Sequence, residues 1–394
     1  MNRSIAAVGD VTSQSTWSGI PWFFWQACLQ AGFATVPWRP DLQAAKKPRL
    51  FWNLKRLLVG KKSGGFQYST AFLDLLEQQV PRELKQSEVI TFHQHFPRAR
   101  TIQSAGGVIS HYVDAPFAAL VTGRGLDLKI PQDIVRHGLE AEKENYALSQ
   151  RVITMGRWAA DVMREECGVD AAKLHTILPG ANMALPTDWT FPNFREGAGR
   201  TRDFVLGFVG KEWERKGLPR LLDLRDELAR RGWRVAVHAA GLTIHMFEGR
   251  TGLRNVGFIH KLKDPARFLA FLVGCDLGCL FSQREALGIS TLEFLRAGVP
   301  VAGFAHEGIA DTLPPDAGFR FDLSQSISEK ADILDDYLKD EAKQYAFYQG
   351  ARCWSPLLSW DRCVQEFQEL WETSTICNPV RPWLGLASQP NARS

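Results

Sequence analysis

Short apolar runs alternate along most of the chain with longer stretches in which apolar positions recur every three or four residues. The first pattern reads as buried strands and the second as amphipathic helices, so the repeating unit is βα. In the first half, strands are expected at 5–8, 33–38, 88–92, 107–113 and 151–154, with helices at 21–31, 72–80, 141–148 and 157–167. The pattern breaks at 186–202, where Pro, Asn, Gly and Arg crowd together, and this marks a linker. It then resumes with strands at 204–209, 234–239, 276–281 and 299–304 and helices at 218–230, 265–273 and 290–297. Two successive βα blocks predict an α/β fold of two doubly wound parallel-sheet domains, 1–185 and 200–350, facing each other across a cleft. A final amphipathic helix is expected at about 357–373, and the Pro-rich, aperiodic 374–394 reads as a loose tail.

Composition narrows the class. A chain of 394 residues, 45% hydrophobic and 23% charged, is long enough to bury a core in each of two domains. A net charge of +4 argues against nucleic acid as a partner, so any basic surface must be local. Seven scattered cysteines form no disulfide framework; Cys275 and Cys279 lie in an apolar run without a ligand pair nearby and read as small buried hydrophobes. That usage suits a reducing cytoplasm. The first nine residues read as a strand and not as a leader, and the longest apolar run, 268–281, is too short to cross a bilayer.

Two stretches carry candidate chemistry. Glu285 and Glu293 are separated by seven residues, the first in a loop after an apolar run and the second in the opening turns of a helix beside Leu292, Phe294 and Leu295. A carboxylate among apolar neighbours is costly to bury unless something pairs with it. Gly288 lets backbone approach a ligand closely, and the helix start supplies N–H groups that suit phosphate. A grip on a nucleotide-sugar fits this pattern; a buried Glu with an Arg partner plus a surface Glu fits it too. Upstream, strand 204–209 runs into Gly210-Lys211-Glu212-Trp213-Glu214-Arg215-Lys216-Gly217, which places cations at a strand's C-terminal end, where open α/β sheets bind ligands. Lys211 and Lys216 suit a diphosphate as point charges, and Arg215 can fork onto two oxygens. The interleaved Glu212 and Glu214 leave a charge-balanced solvated loop as the other reading.

A basic loop ending in Lys-Gly followed by E-x7-E resembles the retaining glycosyltransferases of family four, which have the GT-B fold. Arg157 to Asp161, Cys167 to Asp170 with Lys173, and Leu178 to Asn182 look like that family's interdomain passage. Val273-Gly274-Cys275-Asp276 and Ala297-Gly298-Val299-Pro300-Val301 flank the acidic pair as they do in the family. Ser359-Trp360 opens a helix that in such enzymes crosses back to the N-domain. The resemblance covers 151–371 well and the first 150 residues loosely. It implies a donor-binding domain at 200–350 and an acceptor-binding domain at 1–185 joined by the last helix.

The resemblance also implies roles. Lys216 and Lys211 would neutralise the departing diphosphate, with Arg215 as the alternative to Lys211, where relatives often carry Arg. Glu285 would accept from hydroxyls of the donor sugar and Glu293 from the ribose. Backbone at Leu287, Gly288, Ile289 and Ser290 would meet sugar and phosphate, and the segment around Ile259 would read the base. In the first domain Gly19 would sit in the glycine loop near the diphosphate. Asp114 stands at a strand end facing the reacting centre, where many relatives carry His. His111 just before it, with His93 and His95 at another strand end, are candidate acceptor contacts, and structural histidines are the other reading. The implied reaction is transfer with retention from a nucleotide-sugar to a saccharide or lipid-linked acceptor in envelope or exopolysaccharide synthesis, with no metal or cofactor. A non-catalytic nucleotide-sugar or glycan-binding protein on the same scaffold is the alternative. A dinucleotide-dependent oxidoreductase would need G-x-G-x-x-G, and Gly207-Phe208-Val209-Gly210 lacks that spacing.

One further stretch stands apart. Between Asp41 and Asp74 there is no acidic residue, while 46–62 mixes Lys46, Lys47, Arg49, Lys55, Arg56, Lys61 and Lys62 with Trp52 and several leucines. That mixture on a helix suits an anionic membrane surface and a peripheral place on the inner face. A helix packed on the sheet with a solvated basic face is the competing expectation.

Overall fold

Met1–Pro179 builds one unit, which takes back the last helix, Trp360–Thr373, and Gly180–Ser359 builds a second. The structure is a computed structural model that describes residues 2–123, 130–243 and 245–373; the expected tail at 374–394 lies outside them. The chain changes unit at Pro179–Gly180, ahead of the 186–202 stretch, which lies on the second unit with Phe194 against Tyr345 and Tyr348.

The first unit is centred on a parallel sheet of β1 (Arg3–Ala6), β2 (Val36–Pro37), β3 (Glu88–Thr91), β4 (Val108–Val113), β5 (Arg151–Thr154) and β6 (Leu174–Thr176), in the order β2-β1-β3-β4-β5-β6. The second sheet, also parallel, holds β7 (Phe204–Val209), β8 (Val235–Ala240), β9 (Leu253–Asn255), β10 (Leu277–Leu280), β11 (Val301–Phe304) and β12 (Gly318–Phe321), in the order β12-β11-β10-β7-β8-β9. In each sheet the chain winds outward on one side of its first strand and then returns to the other side. The reversal falls between β1 and β3 and between β7 and β10. At such a switch point the loops after the two strands part and leave a crevice.

Strands covered on both faces should be apolar throughout, and β10 and β11 are buried at every position. One packing detail sets the place of Glu293 in the second unit. Gly207 of β7 and Gly278 of β10 are register partners. A Cβ on them would come within 2.6 Å and 2.2 Å of the Phe294 ring. The two glycines therefore make a slot for Phe294, which seats the helix Ile289–Arg296 against the sheet and places the neighbouring Glu293 inside.

The last helix lies on α1 (Ile20–Gln30) within the first unit, with Phe367 4.9 Å from both Phe24 and Tyr112 and Arg151 4.3 Å above the Trp371 ring. Helices Ile327–Lys339 and Glu341–Trp354 and strands β6, β9 and β12 were not anticipated. The first of those helices had a legible signal in its Ser326/Glu329 capping box. Among the described residues no helix is long and apolar enough to cross a membrane.

Candidate functional site

At the β7/β10 switch point the basic loop is drawn onto the exit of β10 by its two glycines. The stem of Lys216 lies across Gly210, where a Cβ would sit 2.5 Å from Lys216 Cδ. Gly217 has φ +79° and begins the helix Leu218–Arg230; a Cβ there would fall 2.1 Å from the carbonyl oxygen of Phe281. No side chain but hydrogen fits between the loop and the strand end. The result is a cation cluster facing Glu285. Arg215 Nη1 donates to Glu285 Oε2 at 2.9 Å and to the Arg284 carbonyl at 3.0 Å, and Lys216 Nζ stands 3.7 Å from the same Oε2. Arg215 Nε donates to Glu212 at 2.7 Å, so the guanidinium is shared between two carboxylates. Burial pulls the Arg215 pKa down, but Glu285 and Glu212 together outweigh it and hold it above its ordinary value. Lys211 is exposed, its ammonium 4.6 Å over the Phe258 ring.

The loop carrying Glu285 is pinned from the next strand over. After β11, the Glu307 carboxylate accepts from the Glu285 N–H at 3.2 Å and from Arg284 at 3.0 Å, and Gly308 N–H donates to the Glu285 carbonyl at 3.2 Å. A Cβ on Gly308 would sit 1.7 Å from the Ala286 carbonyl oxygen. Glu307 adopts φ +49°, which few non-glycine residues do. Sequence reasoning passed over Glu307; its one signal was an acid before glycine at the C-terminal end of a predicted strand.

Gly288, at φ +83°, then starts the helix that carries Glu293. Glu293 is fully buried and ion-paired with Lys261, which lies in the segment singled out for its backbone near Ile259, itself buried. Burial raises the Glu293 pKa, and Lys261 followed by Lys216 draws it part of the way back. Glu293 Oε2 and Ser290 Oγ are buried without a hydrogen-bond partner among the described residues. Leu287, Gly288 and Ser290 are buried around them and Ile289 is half-buried. Neither acid is thus the surface glutamate allowed by the spacing alone: Glu285, its side chain 13% exposed, meets Arg215 and Lys216, and Glu293 meets a lysine.

In the first unit β1, β3 and β4 are neighbours; His93 and Asp114 follow the ends of β3 and β4, and Gly19 lies further along the segment between β1 and α1. Gly19, at φ +88°, begins α1 after a turn in which Trp17 and Ser18 also have positive φ. The Trp17 ring lies 6.1 Å from that of His93, whose Nδ1 accepts from the His95 N–H. Asp114 is half-buried. His95 and His111 face inward: His95 Nε2 is 2.9 Å from the Gly138 carbonyl and His111 Nδ1 is 2.9 Å from Ser149 Oγ. Burial pushes His93 well down, His95 to about 4 and His111 to about 3, so all three are neutral near pH 7. His111 has no exposed surface at all.

The two six-stranded parallel sheets make the GT-B fold. Superposition on Anabaena HepE, solved with UDP, covers 95% of this chain and 100% of that one, with a TM-score of 0.62 at 15% identity. Sucrose-phosphate synthase from Thermosynechococcus elongatus matches over 94% and 98% of the two chains, with a TM-score of 0.58 at 14% identity. Residues 191–354, which hold the basic loop and both glutamates, match the family model of glycosyl transferases group 1. By sequence the chain is 27% identical over 172 residues to a glycogen synthase of Deinococcus deserti, covering 43% of this chain and 38% of the relative. It is 26% identical over 276 residues to the 2-deoxystreptamine glucosyltransferase of Streptomyces kanamyceticus, covering 64% and 68%. The chain therefore spans well under half the length of the Deinococcus relative.

Proposed function

We propose that this chain is a retaining glycosyltransferase that moves a sugar from a nucleotide-sugar donor to a saccharide or lipid-linked glycan acceptor, in the cytoplasm and in the service of envelope or exopolysaccharide synthesis. The observation that carries the reading is the gathering of Lys216, Arg215 and Glu285 at the β7/β10 switch point. In the proposed chemistry the bond between the anomeric carbon and the diphosphate oxygen breaks, and its electron pair leaves with the diphosphate. Lys216 stabilises that developing charge, aided by Lys211 or Arg215 and by N–H groups at the start of helix Ile289–Arg296, without calling on a metal. Glu285 accepts from hydroxyls of the sugar. The unpartnered Oε2 of Glu293 accepts from the ribose, backbone around Leu287 to Ser290 meets sugar and phosphate, and the segment at Ile259 lies against the base. Gly19 lies near the diphosphate, Asp114 faces the reacting centre and His93 serves the acceptor end, where the acceptor hydroxyl bonds the anomeric carbon and its proton leaves with the diphosphate.

A thermal-shift panel of UDP-, GDP- and ADP-sugars tests the reading, repeated on Glu293→Ala. Stabilisation by one nucleotide, lost in the variant, is expected. Stabilisation with no sugar transferred to any acceptor would move the protein to the non-catalytic binding alternative, and no response to any donor would end both.

A further inference from the structure

Of the twelve large hydrophobic side chains exposed among the described residues, six fall within ten consecutive positions: Leu50, Phe51, Leu54, Leu57, Leu58 and Val59. Scattered apolar residues on a surface need no explanation, but a contiguous patch does. Five of the six belong to α2 (Lys46–Leu58). At 3.6 residues per turn, Ala45, Trp52 and Arg56 share one side of this helix, and Leu50, Phe51, Leu54, Leu57 and Leu58 share the opposite side. The first side is the anchor. Trp52 packs 5.5 Å from Phe66, and Arg56 stacks 4.8 Å over Trp52 while forking onto Asp133 at 2.7 and 2.8 Å. Arg56, grouped with the cations on sequence grounds, is therefore internal and already neutralised. The second side faces away from the unit, with Leu50 69% and Leu58 78% exposed. Lys46, Lys47 and Lys55 are exposed around it, Arg49, Lys61 and Lys62 are exposed nearby with Lys61 3.5 Å from Asp133, and no acid lies between Asp41 and Asp74.

We infer that α2 and the turn after it dock on an anionic lipid surface, the apolar row entering the headgroup boundary and the cations meeting the headgroups. The charge pattern selects this occupant. A second copy of the chain would bring the same six cations against themselves, whereas an anionic bilayer offers the opposite charge and an apolar layer beneath it. This surface is independent of the nucleotide site proposed above.

The test is flotation of the full chain with vesicles of phosphatidylcholine, with and without phosphatidylglycerol. Wild type should float with the anionic vesicles only, and less as salt rises. Each Lys→Gln change should weaken binding about fivefold, so a triple change at Lys46, Lys47 and Lys55 should weaken it on the order of 100-fold. Leu54→Gln with Leu58→Gln should abolish binding, and melting should be unaltered because both side chains point outward. Nucleotide-induced thermal shifts should survive in both variants, which separates failure here from failure of the transferase reading. Absence of wild-type flotation, equal flotation of wild type and variants, or a concentration-dependent dimer that the leucine changes disperse would each overturn the inference.

Discussion

Replacing Lys261 with methionine asks how Glu293 is held in place. The substitution keeps a stem of similar length against Phe268, whose ring lies 4.9 Å from the Lys261 ammonium, and removes only the charge. Breaking a buried ion pair from one side costs about 3–5 kcal/mol. Glu293 is 0% exposed but Lys261 keeps 27% of its side chain in water, so solvent already screens part of the pair. A loss of about 2–3 kcal/mol is the better figure for this geometry. For a domain of this size that corresponds to roughly 5–10 °C in melting temperature. The pH dependence follows from the direction of the shift. Burial holds the folded-state pKa of Glu293 above its unfolded value, so its contribution to stability is greatest in acid and falls as pH rises through the folded pKa. Without Lys261 that pKa climbs further and the fall continues to higher pH. Thermal unfolding followed by circular dichroism should therefore show a small gap between wild type and Lys261→Met near pH ~5 and the full gap near pH ~8. Adding Glu293→Gln should remove most of the gap, since the charge left stranded is gone. Equal melting temperatures at the higher pH, or a gap that widens on acidification, would refute the reasoning.

Other expectations concern the same loops and the first unit. Lys216→Ala should lower turnover about 10²-fold or more, the scale of one lost transition-state donor, in an assay of sugar transfer; a wild-type rate would remove Lys216 from the mechanism. Gly217→Ala forces a left-handed conformation worth about 1–2 kcal/mol and drives a methyl onto the Phe281 carbonyl, so the second unit should melt markedly earlier, and unchanged melting would contradict the packing. Glu307→Ala leaves the Glu285 N–H without its acceptor at a cost of about 1–3 kcal/mol, and should weaken the nucleotide-induced thermal shift that Glu307→Gln retains. Equal shifts in the two variants would rule out a positioning role for Glu307. In the first unit, burial pushes Glu142 to about 7 against the hydrogen bonds it accepts from Phe117, Ala118 and Tyr146. Its folded pKa lies above the unfolded one, so stability should fall as pH rises from about 4.5 to 7, a slope that urea unfolding of Glu142→Gln should flatten.

Much of the scaffold is written in local patterning. The strands at 204–209 and 151–154 and the helices at 218–230 and 265–273 occur with the bounds their apolar runs predict, because a strand buried on both faces has little choice of residue. The short strands β6, β9 and β12 carry no such run. Arg254 in the middle of β9 and the half-buried Leu174, His175 and Thr176 of β6 mark edges, where one side of the sheet meets water and the pattern dissolves.

What the residues determine by themselves is the order of elements and the chemical kinds available at the strand ends: lysines before a glycine, two acids with seven residues between them, and a cationic stretch rich in leucine. Which partner each charge meets is a matter of tertiary structure. Lys55 and Arg56 are adjacent and alike in one dimension, yet one is exposed and the other is locked onto Asp133, 77 residues away. Glu293 takes Lys261 and Glu285 takes Arg215, and Glu307 enters the site only because β11 lies beside β10. The physical reason is that burial and pairing depend on distances between segments far apart in the chain, and local periodicity carries no information about them.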